Sequence, residues 1–444
     1  MLKNKLILGI GITGMSCANF FKSKDIPFKI FDTRDKKFFV DYDFGDISLN
    51  SIYFKEYTVN FLDNIDEVII SPGLDKTHEI FKDIKEYGIN VITDIDIFKR
   101  YCNTKLISVT GTNGKTTMVT MLKHAFSKLG YNCIACGNNG IPPLSIINNS
   151  YDYIVLELSS YQLEYMSDLK SFVSVITNID YDHLERHKNI ENYRKIKLSI
   201  YKDSSFLLAS NSINDLIKDI KNIKIYGMTN IEEVIINGSI IKGLHYDGFK
   251  IYFENKNLEY QGRHNLENIL GVISVLDIIK IDIIKSLNAL NNFRYLPHRI
   301  ELIKSSNNVN WYNDSKSTNC ASTKVALECI NKKIILILGG SMKDMRYESL
   351  IPLINKKVKL VIFIGENKEY IKKQLKINTE TIDADSIESA VKISWLHSSM
   401  NDNILLSPAS PSFDMFENYE KRGAAFISAV QNIAKWSDQK EYID

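Results

Sequence analysis

The residues from Val109 to Thr117 read V-T-G-T-N-G-K-T-T, an order of residue types suited to capturing a polyphosphate. The apolar run Leu106-Ile107-Ser108-Val109 precedes them and the periodic segment Met118 to Leu129 follows, so the pattern is strand, loop, amphipathic helix. Amides at such a helix start point outward and favour an anion. Gly111 and Gly114 allow the backbone to come close, with Thr112 and Asn113 between them. Lys115 brings a point charge to the outer phosphates, and Thr116 or Thr117 offers a hydroxyl to Mg²⁺. The loop is shorter than an ordinary P-loop, because Val109 stands five residues before Gly114 where that pattern has a glycine. A plain glycine turn before a surface helix is the alternative, and it leaves the run of Asn, Lys and two Thr without a purpose.

A second glycine pattern lies near the start of the chain. Lys5 to Ile10 reads as a strand, Gly9-x-Gly11-x-x-Gly14 leads into the helical pattern Met15 to Lys24, and the strand Phe28 to Phe31 ends in Asp32. This is a dinucleotide fingerprint, yet a glycine-opened helix binds any diphosphate, so UDP-linked ligands are as admissible as NAD. Glu67 to Ile70 is a further strand ending in the turn Ser71-Pro72-Gly73, and Asn90 to Thr93 is another; Asp94 to Tyr101 then leads to the central loop.

The middle of the chain repeats the alternation of strand and helix. Cys133 to Ala135 runs into Gly137-Asn138-Asn139-Gly140, Tyr153 to Leu158 carries Glu157 into Ser159-Ser160, and Ser174 to Thr177 runs into Asn178 to His183. Polar clusters at the carboxyl ends of successive strands mark the crevice side of an open α/β sheet. Glu157, Asp182 and His183 are there as candidate ligands for Mg²⁺. Residues 205 to 262 change character, with runs such as Val234 to Ile236 and Lys250 to Phe253 divided by Asn-Gly and Asp-Gly turns, and read as a small antiparallel addition. From near Arg294 a third α/β unit follows, its strands Ile334 to Leu338, Leu360 to Ile364 and Ile404 to Leu406 entering Gly, Ser or Pro loops.

Length and composition agree with several packed units. The 444 residues are 44% hydrophobic and 24% charged, enough for about two to four domains. A net charge of +2 provides no strong field for nucleic acid or a membrane surface, and no stretch has transmembrane length. The N-terminal apolar run imitates a signal peptide, but its three glycines belong to the fingerprint. Six scattered cysteines suit a reducing cytoplasm, and the lone Cys133-x-x-Cys136 reads as strand packing.

GTNGKTT at 111, LELSSYQLE at 156, DHLERH at 182, GRHN at 262, LPHR at 296, NDSKSTN at 313 and LLSPASPSFDMF at 405 together resemble the bacterial Mur ligases over essentially the whole chain. GIGITGMS, Asp32-Thr33-Arg34 and LELSSYQLE favour the D-glutamate-adding members over those adding L-alanine, a diamino acid or a dipeptide. The resemblance implies an α/β protein of three domains. These are a Rossmann-like UDP-substrate domain over 1–95, a central P-loop-type ATPase domain with a small antiparallel sheet over 96–294, and a Rossmann-like amino-acid domain over 295–444. It implies ATP and two Mg²⁺ sites as cofactors, and a cytoplasmic, monomeric enzyme whose partners are UDP-N-acetylmuramoyl-L-alanine and D-glutamate, with no nucleic acid and no membrane.

Residue roles follow from the same likeness. Lys115 would face the transferring phosphoryl group, Glu157 with Thr116 or Thr117 the first Mg²⁺, and His183 with a carbamylated Lys197 the second; Lys195 is the neighbour that could be confused with Lys197. Asn268, Arg299 and Asp314 resemble nucleotide contacts. Ile12, Thr13, Asp32, Thr33, Arg34, Ser71 and Gly73 match the uridine side, while Asn138, Ser159, Gln162 and His183 lie along the muramoyl-alanine. Lys316, Thr318, Lys343, Ser412 and Tyr419 match positions near D-glutamate, whose two carboxylates call for cations and hydroxyls. The chain departs from the family at Glu185, where Asp is usual, at Tyr419, where Phe is common, and around Lys343 and Pro411. Three rivals compete: a sibling amide ligase, an NAD-dependent oxidoreductase, and a nucleotide-switched binding protein without catalysis.

Overall fold

The computed structural model describes residues 4–433 apart from 75–77, 167–168, 228–230, 237–238, 247–248, 255–262, 291–292, 294–296, 307, 331–332 and 343–344. Lys343, Gln261-Gly262, Leu296 and the Asn237-Gly238 and Asp247-Gly248 turns therefore lie outside the described residues. The first sheet holds β1 (Asn4–Leu8), β2 (Phe28–Asp32), β3 (Ile52–Phe54), β4 (Ile65–Ile70) and β5 (Asn90–Ile92), parallel and in the order β3-β2-β1-β4-β5. Helices α1 (Ile12–Ser23), α2 (Ile80–Glu86) and α3 (Asp94–Tyr101) belong to this part of the chain. The helix expected from Met15 begins three residues earlier, so Gly11 is its N-cap.

The second sheet runs β11-β10-β9-β6-β8-β7, all parallel, from β6 (Lys105–Thr110), β7 (Cys133–Gly137), β8 (Tyr153–Glu157), β9 (Val173–Ile176), β10 (Phe206–Ser210) and β11 (Ile223–Tyr226). Its helices are α4 (Lys115–Lys128), α5 (Ser160–Tyr165), α6 (Leu184–His187), α7 (Ile190–Leu198), α8 (Arg263–Ile278) and α9 (Ile283–Leu290). The antiparallel addition is present as β12 (Ile231–Ile236), β13 (Ser239–Tyr246) and β14 (Phe249–Glu254), but it starts later than expected from the sequence. Residues 206–210 and 223–226 instead extend the parallel sheet, because the buried run Leu208-Ala209-Ser210 needs neighbours on both faces.

The last sheet is mixed. An antiparallel hairpin of β15 (Glu301–Ser306) and β16 (Val309–Asn313) joins parallel strands β17 (Ile334–Gly339), β18 (Val358–Ile364), β19 (Glu380–Asp383) and β20 (Asn403–Leu406), in the order β15-β16-β20-β17-β18-β19. Helices α10 (Cys320–Cys329), α11 (Ile351–Lys357), α12 (Lys368–Gln374), α13 (Ile387–Leu396) and α14 (Tyr419–Gln431) cover it. Strand β17 is buried along its whole length, as an apolar run flanked by helices requires.

Helix α4 shows how the core fixes the central loop. Met118, Met121, Leu122, Ala125 and Phe126 recur at helical spacing and are buried with Ile107 and Val109 of β6, so the loop between strand and helix has both ends anchored. Ile95 and Phe98 of α3 share one apolar cluster with Cys17 of α1 and with Cys136 and Leu144, joining the first two sheets through side-chain packing. Both Cys133 and Cys136 are buried in β7, and none of the six cysteines is in a disulfide.

Asp94, the first residue of α3, is 2% exposed and its Oδ1 has no hydrogen-bond partner. Burial pushes its carboxyl up to about 7. An acid whose folded pKa stands above the unfolded value of roughly 4 holds a proton that the unfolded chain releases, so stability falls as pH rises from about 4 to 7. Asp94→Asn is therefore expected to stabilise the protein by about 1–3 kcal/mol at pH 8 and by much less at pH 5. Thermal unfolding at both values checks this; an equal gain at the two would remove the charge from the explanation.

Candidate active site

The central loop is stitched to the end of β9. Thr112 N donates to Asn178 O at 3.0 Å, Asn113 N to Asn178 Oδ1 at 2.8 Å, and Thr177 Oγ1 to Asn113 O at 2.6 Å. Gly111 and Gly114 have φ of +151° and +84°. A Cβ on Gly111 would meet Thr177 Oγ1 at 2.0 Å, and one on Gly114 would meet Asn268 Oδ1 at 2.9 Å, so both positions require glycine and Asn268 abuts the loop. Lys115 Nζ donates to the carbonyls of Gly111 and Thr112 at 2.8 Å each, folding back over the site where an anion would sit.

Glu157 ends β8, between β6 and β7, and is 1% exposed. Its Oε1 accepts from Thr116 Oγ1 at 3.2 Å and from Asn138 Nδ2 at 3.0 Å, while the buried Oε2 has no partner. Thr117 is instead buried on the core face of α4. Lys197 is 1% exposed; its Nζ donates to Gly111 O at 2.8 Å and to Thr110 Oγ1 at 3.1 Å and lies 5.3 Å from the Tyr193 ring. Burial and the nearby Lys115 charge drive its pKa well below the usual lysine value. Lys195 is exposed, outside the buried face of α7.

Four cations from two sheets gather around Glu157. Burial lowers the pKa of Lys115, and Arg299 lowers it further while Glu157 and Asp182 oppose the change. Burial likewise lowers Arg299, whose Nε has no partner, against the opposing charges of Asp314 and Glu157. Lys316 is pushed down to about 8, first by burial and then by Arg299. Lys115, Lys197, Arg299 and Lys316 repel one another while Glu157, Asp182 and Asp314 oppose them in part, and a bound polyphosphate would relieve the repulsion that remains. The partnerless Glu157 Oε2 suits a hard cation, and the partnerless Arg299 Nε suits an anion. Among the described residues no three His, Cys, Asp or Glu side chains form a metal cage.

His183 has φ of +54° and caps α6; its Nδ1 hydrogen-bonds the Tyr161 hydroxyl at 2.9 Å and its Nε2 is 3.6 Å from Asp182 Oδ2. Glu185 lies 3.6 Å from the same Nδ1. On the other side of the crevice Asp314 is buried, with Oδ2 accepting from Ser317 and from Ser407 at 2.7 Å and Oδ1 from Ile300 N at 3.2 Å; burial pushes its carboxyl up to about 6. Helix α10 crosses to the central loop, with Ser322 Oγ donating to Asn113 Oδ1 at 2.9 Å and Asn319 Nδ2 to Asp182 Oδ2 at 3.1 Å.

The residues matched to D-glutamate divide. Lys316 Nζ donates to the Tyr419 hydroxyl at 2.9 Å and sits 4.8 Å from its ring, Thr318 N bonds Lys316 O at 2.9 Å, and Ser412 is buried with its carbonyl accepting from Phe416 N at 2.8 Å. Arg422, unmarked by the sequence reading, is fully buried beside them. It donates to Ser315 Oγ and O at 3.0 and 2.8 Å and to Ser410 O and Pro411 O at 3.0 and 3.2 Å. It lies three residues past Tyr419 on α14, a helical spacing that is its one signal in the sequence.

In the first sheet Asp32 is engaged rather than free. Its Oδ2 accepts from Ile10 N at 2.6 Å and Arg34 Nη2 at 2.9 Å, and its Oδ1 from Arg34 N and Nε at 2.9 Å each. These bonds hold its pKa below the usual carboxylate value against burial. An acid clamped by its neighbour's guanidinium is poorly placed to hold a ribose diol, which counts against the NAD reading. A Cβ on Gly14 would meet Gly9 O at 2.0 Å, whereas one on Gly11 meets nothing within 4 Å, so the open approach is at Gly11. Ile12 is 68% exposed beside it, with Thr13, Thr33 and the Ser71–Gly73 turn at the same strand ends; Ser71 N donates to Leu8 O at 2.9 Å. Ser159 and Gln162 form a reciprocal cap of α5, a structural duty that already occupies both side chains.

Three family descriptions match the chain in order: Mur ligase MurD-like, N-terminal domain over residues 3–93, Mur ligase middle domain over 109–276, and Mur ligase, glutamate ligase domain over 298–410. The UDP-N-acetylmuramoylalanine-D-glutamate ligase of Buchnera aphidicola subsp. Schizaphis graminum is 37% identical over 441 residues, 97% of this chain and 98% of the relative. The ligase of the same name from Coxiella burnetii is 33% identical over 441 residues, 96% of this chain and 98% of its own. In three dimensions the chain resembles a pseudomurein peptide ligase type C from Methanothermus fervidus, with TM-score 0.63, 20% identity and coverage of 97% and 100%. It also resembles the UDP-N-acetylmuramate-alanine ligase of Thermotoga maritima, with TM-score 0.60, 18% identity and coverage of 97% and 99%; these two likenesses speak for the fold. Family descriptions that follow one another along the chain, and relatives matched over nearly its whole length, show that this chain belongs to the Mur ligase family.

Proposed function

We propose that the chain is an ATP-dependent amide ligase that adds D-glutamate to UDP-N-acetylmuramoyl-L-alanine, giving ADP and phosphate in peptidoglycan precursor synthesis. The observation that carries the reading is the convergence of Lys115 and Lys197 from the second sheet with Arg299 and Lys316 from the last one around Glu157. The relatives' names supply the substrates. The substrate's alanyl carboxylate attacks the γ-phosphorus of ATP, the bond to the β,γ-bridging oxygen breaks, and ADP leaves. The deprotonated amine of D-glutamate then attacks the acyl phosphate carbon, and phosphate departs from the tetrahedral intermediate.

Each group of residues has a task in that scheme. Lys115 and the loop amides from Gly111, Thr112, Asn113 and Gly114 hold the phosphates, with Asn268, Arg299 and Asp314 on the nucleotide. Mg²⁺, when bound, neutralises phosphate charge and polarises the γ-phosphoryl group. Glu157 and the Thr116 hydroxyl would hold one ion, completed by water and phosphate oxygens, in preference to Thr117. His183 and Lys197, carried as its carbamate, would support the second; burial and the Lys115 charge lower the Lys197 pKa, which favours the free amine that carbamylation needs. Ile12, Thr13, Asp32, Thr33, Arg34, Ser71 and Gly73 would line the uridine arm, and Asn138, Ser159, Gln162 and His183 the muramoyl-alanine. Lys316, Thr318, Ser412 and Tyr419 would receive D-glutamate, and Lys343 is carried with them on resemblance alone.

We read the domains as 1–95, 96–294 and 295–444, and the enzyme as a cytoplasmic monomer acting on small molecules rather than on nucleic acid or membrane. Among the described residues no helix is long and apolar enough to cross a membrane. Phosphate release from ATP should require UDP-N-acetylmuramoyl-L-alanine and D-glutamate together, and should be silent with L-glutamate or L-lysine. Turnover with another amino acid would move the chain to a sibling ligase, and none with any combination would sink the ligase reading.

A further inference from the structure

One arginine bridges the turn assigned to the UDP-linked substrate and the helix whose N-cap position is His183. Arg186 lies in α6, and its Nη1 donates to the carbonyl of Leu74 at 2.6 Å, directly after the Ser71–Gly73 turn that follows β4. Its Nε donates to Glu164 Oε2 at 3.2 Å and its Nη2 to the Tyr165 hydroxyl at 3.1 Å, both on α5. The guanidinium lies 5.5 Å from the ring centroid of Tyr161, and the Tyr161 hydroxyl bonds His183 Nδ1 at 2.9 Å, with the two rings 5.0 Å apart. The Arg186 and Glu164 side chains are only 16% and 11% exposed, so this pair is not a solvated surface charge. His183 itself sits in the left-handed region, φ +54°, outside the regular helix whose packing would otherwise set its side-chain direction.

We propose that Arg186 and Tyr161 are positioning residues that couple engagement of the UDP-linked substrate at the 71–74 turn to the orientation of the His183 ring. The inference rests on the ligase reading above. A diphosphate arm seated against the turn fixes Leu74 and its carbonyl, the carbonyl fixes the guanidinium, and the guanidinium fixes the face of Tyr161. The Tyr161 hydroxyl then holds Nδ1 of His183, and the ring so fixed directs Nε2 toward Asp182, 3.6 Å from its Oδ2. A purely structural clamp would stabilise the fold without linking the two ligands.

Calorimetric titration of UDP-N-acetylmuramoyl-L-alanine, without and with Mg²⁺ and a non-hydrolysable ATP analogue, measures the coupling in wild type, Tyr161→Phe, Arg186→Lys and Arg186→Met. Wild type should bind the UDP substrate on the order of tenfold more tightly when the metal-nucleotide is present. Tyr161→Phe should abolish most of that factor while its affinity without nucleotide stays within about twofold, and should raise the Mg²⁺ concentration for half-maximal turnover. Arg186→Met should lose the coupling as well, with Arg186→Lys restoring part of it. Nitrogen-15 spectra of the histidines should show the His183 Nδ1 signal moved by Tyr161→Phe. Full coupling and unchanged Mg²⁺ dependence in folded Tyr161→Phe, in an enzyme whose wild type binds and turns over, overturns the inference alone. A wild type that binds no UDP substrate overturns the functional reading and this inference with it.

Discussion

Lys115→Met is expected to lower kcat/KM for ATP-dependent phosphate release by about a thousandfold, roughly 4 kcal/mol of transition-state stabilisation, while the protein stays folded. The ammonium is held by the carbonyls of Gly111 and Thr112, at the loop whose amides would meet the phosphates. A carboxylate attacking a polyanion must overcome repulsion, and in phosphoryl transfer the protein contributes mainly position and charge. Burial already lowers the Lys115 pKa, and Arg299 and Lys197 stand nearby, so removing the charge relieves repulsion in the free enzyme. Stability should therefore change little, because two carbonyls lose a donor while a crowded cation disappears. Steady-state kinetics and thermal unfolding on the same preparation check the pair of expectations. A loss under about tenfold would show that Lys115 does not face the transferred phosphoryl group.

Gly111→Ala should be the most damaging conservative substitution in the loop, costing about 3 kcal/mol and more than a hundredfold in kcat/KM. The added methyl would stand 2.0 Å from Thr177 Oγ1 and 3.1 Å from Asn178 O, atoms that the loop's own hydrogen bonds hold in place. At φ +151° the backbone is also strained for any residue with a side chain. Gly130→Ala separates the two causes, since Gly130 has φ +86° but open space around its Cβ direction and should lose only about 1 kcal/mol. Similar losses at the two glycines, measured by thermal unfolding, would mean that backbone strain alone matters and the contact with Thr177 does not.

The parts of the site that could be read from sequence are those whose signal is local. The central loop was legible because strand, glycines, lysine and helix are contiguous, and Glu157 because it ends an apolar run. Arg422 was not, since arginine belongs on surfaces by default and only the fold brings it against Ser315 and Ser410. Asn319 and Ser322 likewise gain their meaning from residues more than a hundred positions away. Strands β10 and β11 were assigned to the antiparallel unit because short apolar runs carry no record of their partners, and the β15–β16 hairpin escaped notice for the same reason. Thr116 and Thr117 look alike in the sequence, whereas the helix phase turns the Thr116 hydroxyl to Glu157 and buries Thr117.

The two side-chain bonds from the start of α10, one to Asn113 of the central loop and one to Asp182 beyond β9, would also set a timescale. Ser322 to Asn113 joins neutral groups and is worth about 1 kcal/mol, while Asn319 to Asp182 has a charged acceptor and is worth about 2 kcal/mol. If both had to break first, separation of the last domain from the loop would be slowed by about a hundredfold. Hinge motions of domains occupy microseconds to milliseconds, so release would be stretched to at most about a tenth of a second. That interval matches an ordinary turnover of about ten per second. A latch this light would delay separation of the two sides of the crevice without locking them together.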